Sequence, residues 1–286
     1  MDRLLRISSG YLLYASDIQG HEADFDRVLQ RFSLLKEKHQ ATKLILGGDL
    51  LHGYPGYEDR SFSLLQRVME LGDPQIILLM GNHELSHVLH WRLRKGGLSF
   101  VENLEAKFGP HRRKYAQFLC SLPFGVLTAG GILLNHTGPS GALSPEPSQG
   151  QDEVLWNWFW NLDFRSSLPP GPVPLDAFEP EYGASLLNSK RGETLWEAFM
   201  NKNEFQIEDY EKVLKRYLRR FDPPCRYLIS GHIPAPEGFQ VISDRQLRVC
   251  TSYGAKDQNS KKLLLVDAAR TYANMGEILG GLQPLF

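Results

Sequence analysis

The sequence predicts an α/β fold with two sheets and helices outside them, and three observations carry that expectation. From Tyr11 onward three strand–helix units follow one another, which implies a parallel sheet with right-handed crossovers. A turn-linked apolar pair at Val126–Leu127 and Ile132–Leu134, with three short apolar runs near the C-terminus, supplies strands that this repeat does not use. Apolar runs along the chain stop at an oxygen or imidazole side chain, the place where open α/β sheets carry their chemistry.

Taken in order, Tyr11–Ala15 is a short apolar strand ending in Asp17-Ile18-Gln19-Gly20-His21. A helix follows, with Phe25, Val28, Leu29, Phe32 and Leu35 at helical spacing on its buried face. Lys43–Leu46 makes the second strand and ends in Gly47-Gly48-Asp49; a loop through Pro55-Gly56 leads to a helix whose expected buried face is Phe62, Leu65, Val68 and Leu71. Gln75–Met80 is the third strand and runs into Gly81-Asn82-His83-Glu84. Beyond Glu84 the pattern is helical, and Tyr115, Phe118, Leu119 and Leu122 lead to Pro123, where a helix must stop. Ala129-Gly130-Gly131 suits an antiparallel turn before the strand to Asn135-His136. Tyr227–Ser230 precedes Gly231-His232, and Gln240–Ile242, Leu247–Cys250 and Leu263–Val266 complete the strands.

The stretch from Gly138 to Asn203 breaks the repeat. It holds Pro169-Pro170-Gly171-Pro172-Val173-Pro174 and the aromatics Trp156, Trp158, Phe159, Trp160, Phe164 and Trp196. Aromatics bury large area wherever they occur, so the ordinary reading is packing onto a sheet edge; the sharper one is a substrate cap. The expected organisation is one domain over residues 1–286 with an insertion or cap at about 140–205.

A net charge of -1 gives no basic field, so neither nonspecific nucleic-acid binding nor polybasic membrane attachment is expected. Cys120, Cys225 and Cys250 are odd in number and lie in or beside apolar segments, as buried free thiols of a reducing compartment do. The first ten residues carry no apolar core of signal-peptide length, and nothing later approaches a membrane span. The expectation is a soluble, cytoplasmic protein.

Singly, Asp17 has the ordinary reading of a helix cap, Asp49 and Asn82 of turn residues, and His136 and His232 of hydrogen-bonded loop histidines. Turn chemistry does not ask successive apolar strands to end in metal-type ligands. Carboxylates at neighbouring strand ends repel one another unless a cation lies between them, and two ions roughly 3.5 to 4 Å apart need a shared ligand, for which Asp49 is suited.

The order Asp17-x-Gln19-Gly20, Gly48-Asp49, Gly81-Asn82-His83-Glu84, His136-x-Gly138 and Gly231-His232 resembles the calcineurin-like metallophosphoesterases. Within them the chain looks most like the phosphoprotein Ser/Thr phosphatase branch. Leu122-Pro123 precedes the strand to His136, Gly138-Pro139-Ser140 follows it, Glu237-Gly238-Phe239 follows His232, and Val154-Leu155-Trp156 and the tail from Tyr253 to Asp267 are also similar. The resemblance implies a four-layer α/β/β/α sandwich and two divalent metal ions, Mn, Fe or Zn. The first ion would take Asp17, Gln19 and Asp49; the second, Asp49, Asn82, His136 and His232. It also implies a bridging hydroxide attacking phosphorus, with His83 as general acid, Asp49 and Asn82 in the catalytic set, and Arg191, His52 and Tyr253 toward the substrate.

The chain departs from that pattern in named places. Gln19 stands where the family usually has His, and a neutral amide oxygen is a harder, weaker donor than imidazole. His21 is expected to lie past the turn and start the helix. His52 and Gly53 replace an Asp-Arg pair, so the carboxylate that orients the catalytic histidine is missing, and Met80 replaces an Arg. The function these readings favour is a metal-dependent phosphomonoesterase acting on a phosphorylated protein or small phosphoester. The alternatives are a nucleotide or dinucleoside polyphosphate hydrolase and a noncatalytic binding module on the same fold.

Overall fold

The structure is a computed structural model that describes residues 2–54, 57–89, 91, 94–95, 98–145, 153–164 and 189–286. β1 (Leu4–Ile7) precedes β2 (Tyr11–Ala15), α1 (Glu22–Lys38), β3 (Lys43–Leu46), α2 (Ser61–Leu71), β4 (Ile76–Leu78) and α3 (Asn82–Val88). A short ladder of β5 (Arg94–Lys95) and β6 (Leu98–Ser99) leads to α4 (Phe100–Phe108) and α5 (Arg112–Ser121). Then come β7 (Gly125–Thr128), β8 (Ile132–Asn135), α6 (Glu153–Trp160), α7 (Lys190–Phe199), α8 (Asn203–Gln206), α9 (Tyr210–Arg219) and β9 (Tyr227–Ser230). The chain closes with β10 (Phe239–Ser243), β11 (Gln246–Val249), β12 (Lys262–Asp267), α10 (Met275–Leu279) and β13 (Leu282–Pro284).

The three strand–helix units give parallel β2, β3 and β4, with Ala15 opposite Leu46 and Leu46 opposite Leu78. Antiparallel β12 and β13 extend that sheet to the order β13-β12-β2-β3-β4. The second sheet runs β1-β7-β8-β9-β11-β10, with the expected β7–β8 hairpin antiparallel and β8 parallel to β9.

Alternation along the strands sorts side chains into layers. Leu12, Tyr14 and Ile45 of one sheet cluster with Val126, Ile132, Leu134, Ile229 and Val249 of the other. Their sequence neighbours Leu13, Leu44, Leu46, Leu127, Leu133 and Leu228 belong instead to the cluster that contains Phe25, Val28, Leu65, Leu214 and Leu218 of the helices. Helix, sheet, sheet and helix are thus stacked as expected. Between the sheets the Tyr14 hydroxyl donates to the Asn135 carbonyl at 3.1 Å.

Helix α1 begins at His21, whose Nδ1 accepts the Asp24 N–H at 3.2 Å, and it carries Glu22 and Asp24 in its first turn and Lys36 and Lys38 in its last, in keeping with the helix dipole. Helix α5 ends where Leu122, forced out of the helical region by Pro123, takes an extended conformation. In α2 the buried face is Ser61, Leu64, Leu65 and Val68; Leu71, expected inside, is 46% exposed in the last turn before the left-handed Gly72.

Trp156, Phe159, Trp160 and Phe164 pack among Phe124, Phe199, Tyr217 and Phe221 and belong to the helix-side core. The Pro169–Pro174 run and Pro55-Gly56 lie outside the described residues. Cys120, Cys225 and Cys250 are buried and, among the described residues, form no disulfide, as expected. Among the described residues no helix is long and apolar enough to cross a membrane.

Candidate active site

The C-terminal ends of β2, β3 and β4 meet those of β8 and β9, and the chain leaves the strands there in an unusual backbone state. Among the described residues, five that are not glycine have positive φ: Asp17 (55°), Gln19 (46°), Asp49 (52°), His52 (67°) and His232 (71°). All five build or line one cleft. Left-handed conformations cost roughly 1–2 kcal/mol for ordinary residues and persist where the surroundings impose them. Here the imposing bonds are Asp17 N–H to Gly48 O (3.1 Å), Gln19 N–H to Asp49 O (2.9 Å) and Gly20 N–H to Leu50 O (2.8 Å). Side chains with a Cβ would not fit between the turns. At Gly81 a Cβ would overlap the Asp49 backbone and carboxylate, and at Gly48 it would press on Gly81 and His136.

Asp49 stands at the centre. Asp49, His136 and His232 place one potential ligand atom each within 4.8 Å of one another. His136 donates from Nδ1 to the Gly47 carbonyl at 2.9 Å, and its Nε2 lies 3.2 Å from Asp49 Oδ1. One terminal atom of the Asn82 amide lies 2.9 Å from His136 Nε2, 3.0 Å from His232 Nδ1 and 3.1 Å from each Asp49 carboxylate oxygen. A nitrogen in that place donates to these acceptors; an oxygen in that place joins them as a ligand set. Asp17 Oδ2 accepts from the Ser16 hydroxyl (2.6 Å) and the His232 N–H (3.0 Å). Among the described residues its Oδ1, Gln19 Oε1 and His232 Nε2 are buried without a hydrogen-bond partner.

These features fit a divalent cation. Buried acceptors without donors are costly, and a cation satisfies carboxylate, amide oxygen and neutral imidazole together. The electrostatics agree. Burial, reinforced by Asp49 against the opposing charge of His136, raises the Asp17 carboxyl. For Asp49 burial works the same way but His136 and His83 outweigh it and hold the carboxyl below the usual range. Burial would lower His136, yet Asp49 pushes it up to about 9; burial and the charge of His136 push His232 down to about 3.

Glu84, for which the sequence suggested no separate role, is fully buried behind this centre. Its Oε2 accepts the N–H groups of Asp49 (2.8 Å) and Gly81 (3.0 Å), and its Oε1 those of Leu50 (2.9 Å) and Leu51 (3.2 Å). Burial, then the nearby Asp49 charge, raises its carboxyl, and His83, His136 and the Asp49 N–H oppose them. Glu84→Gln keeps the size but offers an amide NH2 to donors. We expect a loss of about 2–4 kcal/mol in urea-unfolding stability. A change within about 0.5 kcal/mol, the range of ordinary surface substitutions, would show that the Asp49 turn is held by something else.

His83 donates its backbone N–H to Asp49 Oδ1 at 3.0 Å and its ring Nδ1–H to the Leu51 carbonyl at 2.8 Å. The backbone carbonyl therefore orients the ring. Its Nε2 lies 3.7 Å from Asp49 Oδ2, and its side chain is 14% exposed. His52 meets His83 edge-on, ring centroids 5.2 Å apart. Behind it, His52 Nε2 is 2.8 Å from His87 Nε2, with the rings 15° from coplanar and centroids 4.9 Å apart, so the contact is an in-line N–H···N bond and not a face stack. His87 Nδ1 then donates to Glu105 at 3.1 Å, and Glu105 pairs with Arg112.

The cleft has a volume of about 340 Å³. Of the sequence-derived candidates, Gln19, Asp49, His52, Asn82, His83, His232 and Tyr253 line it. His136 is buried beneath, at Asp49, and Asp17 is reached through His232. Arg191 is not brought there: its guanidinium lies over the Trp158 ring at 5.2 Å, at the exposed start of α7. His21 is committed to α1 as its cap, as expected, and Met80 is core. Sequence reasoning missed Lys202, which is the one lysine or arginine among the described cleft-lining residues, and the His87–Glu105–Arg112 chain. Trp196 also lines the cleft and is edge-on to Trp91 at 5.3 Å.

A family model described as calcineurin-like phosphoesterase matches residues 11–236. Comparison with curated protein sequences returns no match. Among solved structures, a cold-active protein tyrosine phosphatase of a psychrophilic Shewanella species is 17% identical, with 94% of this chain and 78% of that chain covered and a TM-score of 0.55. A point mutant of a cold-active protein tyrosine phosphatase gives 18% identity, 94% and 78% coverage and a TM-score of 0.56. At such identities the similarity is one of fold.

Proposed function

The chain belongs to the calcineurin-like phosphoesterase family and is a hydrolase of phosphoester bonds, and from that premise we propose that it cleaves phosphomonoesters at a centre of two divalent cations, as protein Ser/Thr phosphatases do. The observation that carries this reading is the set of unpartnered buried acceptors, Asp17 Oδ1, Gln19 Oε1 and His232 Nε2, gathered around Asp49 and Asn82 at the floor of a cleft that His83 faces. Asp17, Gln19 and Asp49 would hold one ion, and Asp49, Asn82, His136 and His232 the other. Divalent ions held there would polarise phosphoryl oxygens and make an attacking water more acidic.

The chain's own residues account for the remaining requirements. Glu84 fixes the Asp49 turn. His83, held by Leu51 O, lines the cleft, where in its protonated form it would give a proton to the departing alkoxide. Lys202 and His52, which line the cleft, would hold the phosphoryl group. The segment carrying Trp196, Met200 and Lys202 serves as the wall of a cap over the same domain.

Trp196 with Trp91 behind it favours a second reading, in which an aromatic base stacks on the cleft wall and the substrate is a nucleotide or dinucleoside polyphosphate. Manganese-supported hydrolysis of nitrophenyl phosphate tests the common premise, and its absence at full metal loading would overturn it. A panel of phosphopeptides against nucleotides then separates the two substrates; faster turnover of nucleotides would replace the first reading by the second.

A further inference from the structure

We propose that the two cation positions differ in kind: Asp17, Gln19 and Asp49 form an all-oxygen position that selects a hard ion such as Mn²⁺ or Mg²⁺, while Asn82, His136, His232 and Asp49 form a mixed position suited to Zn²⁺ or Fe²⁺. The inference rests on the two-cation reading of the site and concerns which ion goes where.

Gln19 is 2% exposed and Asp17 fully buried, and each keeps one oxygen, Oε1 and Oδ1, without a hydrogen-bond partner. The Gln19 backbone is held in the left-handed region at φ 46° by its bond to Asp49 O, and Asp17 Oδ2 is tied to Ser16 and His232. The imidazole two residues beyond Gln19 does not compensate, because His21 Nδ1 accepts the Asp24 N–H and its ring lies edge-on to Tyr57 at 4.7 Å. The nearby thiol is engaged as well, with Cys250 Sγ donating to Ile233 O at 3.0 Å. Only oxygen is therefore offered from Asp17 and Gln19.

Carboxylate and amide oxygens suit Mg²⁺, Ca²⁺ and Mn²⁺, whereas imidazole suits Zn²⁺ and Fe²⁺. The partition follows from the side-chain chemistry: the position with His136 and His232 has two nitrogen donors, and the position with Gln19 has none. A native preparation would carry unlike ions.

The test is metal binding, read without turnover. Protein stripped by chelator and titrated with Zn²⁺ is expected to retain about one ion per chain after gel filtration, with any second zinc about tenfold or more weaker. Mn²⁺ added to that protein should then bind at the remaining position, seen by elemental analysis and by its electron paramagnetic resonance spectrum. Gln19→His should hold two zinc ions of similar affinity; histidine tolerates the left-handed backbone, and far-UV circular dichroism checks the fold. Gln19→Glu, which keeps the size and adds a hard charged oxygen, should tighten Mn²⁺ about tenfold without gaining the second zinc.

Two equal zinc sites in the natural sequence, or an unchanged zinc count in Gln19→His, would overturn the partition. Failure of the chain to retain any ion, or retention unaffected by His232→Ala, would overturn the metal-centre reading and the partition with it. Hydrolysis that fails while the binding pattern holds would overturn the proposed function alone.

Discussion

Asp49→Asn is expected to lower phosphoester hydrolysis by at least about 10³-fold, the equivalent of ~4 kcal/mol of lost charge stabilisation, and to lower bound metal in parallel. The reason lies in how many partners converge on one carboxylate. It receives the His83 N–H at 3.0 Å, lies 3.2 Å from His136 Nε2, and touches the Asn82 amide with both oxygens. An amide of the same shape keeps the hydrogen bond from His83 but gives up the charge, so the fold should survive while the cations are lost. His232→Ala should behave alike with one addition. Alanine at φ 71° lacks the tolerance of histidine for the left-handed region, so about 1 kcal/mol of stability should go as well. Elemental analysis beside a urea melt separates the two effects, and near-wild-type turnover in either variant would mean that the centre lies elsewhere.

His83→Asn is expected to slow hydrolysis of an alkyl phosphate by roughly 10²- to 10⁴-fold, and that of a nitrophenyl ester far less. A nitrophenolate departs without a proton, whereas an alkoxide needs one. The ring is placed for this by the Leu51 carbonyl, which fixes Nδ1 as a donor and leaves Nε2 on the cleft side of Asp49. Because Asp49 and the strand ends are untouched, metal content should stay the same. Equal losses on both esters would assign His83 to positioning substrate or cation, and a fall in bound metal would make it part of the ligand set.

Much of this architecture was legible because strand ends are marked twice, by periodicity and by the residue that stops the run. β2 and β3 fall where Tyr11–Ala15 and Lys43–Leu46 were placed, and Asp17, Asp49, Asn82, His136 and His232 gather as their positions after apolar runs suggested. β1 and β13 were not foreseen. Leu4-Leu5-Arg6-Ile7 has no alternation to read, and Leu282–Pro284 is a three-residue edge strand that gains its identity only from β12. The β5–β6 ladder is shorter still and was read as helix.

At the site, what escaped reading was contact across long sequence separations. Glu84 reads as the fourth residue of a turn motif, yet it acts on the N–H groups at residues 49–51, more than thirty positions earlier. Lys202 lies just past α7, with no local pattern to mark it, and reaches the cleft only because the helix layer brings that segment over the strand ends. Arg191 misled for the converse reason. It resembles a family arginine in sequence order, but its guanidinium lies over the Trp158 ring instead of in the cleft.

The five left-handed residues bear on how this protein can change over time. Gln19, which has least tolerance for that region, withholds a kilocalorie or so from a net stability of only about 5–15 kcal/mol, and the aspartates and histidines withhold less, so the cleft is one place where the fold can gain from mutation. Asparagine or glycine at these positions would relax the backbone and harden the molecule against heat while erasing the side chains that give it a purpose. Screens for thermal resilience alone would therefore drift toward inert proteins, altered first at Gln19 and His52. Stabilising substitutions compatible with function belong elsewhere, in the helix layers, where the backbone is already at ease.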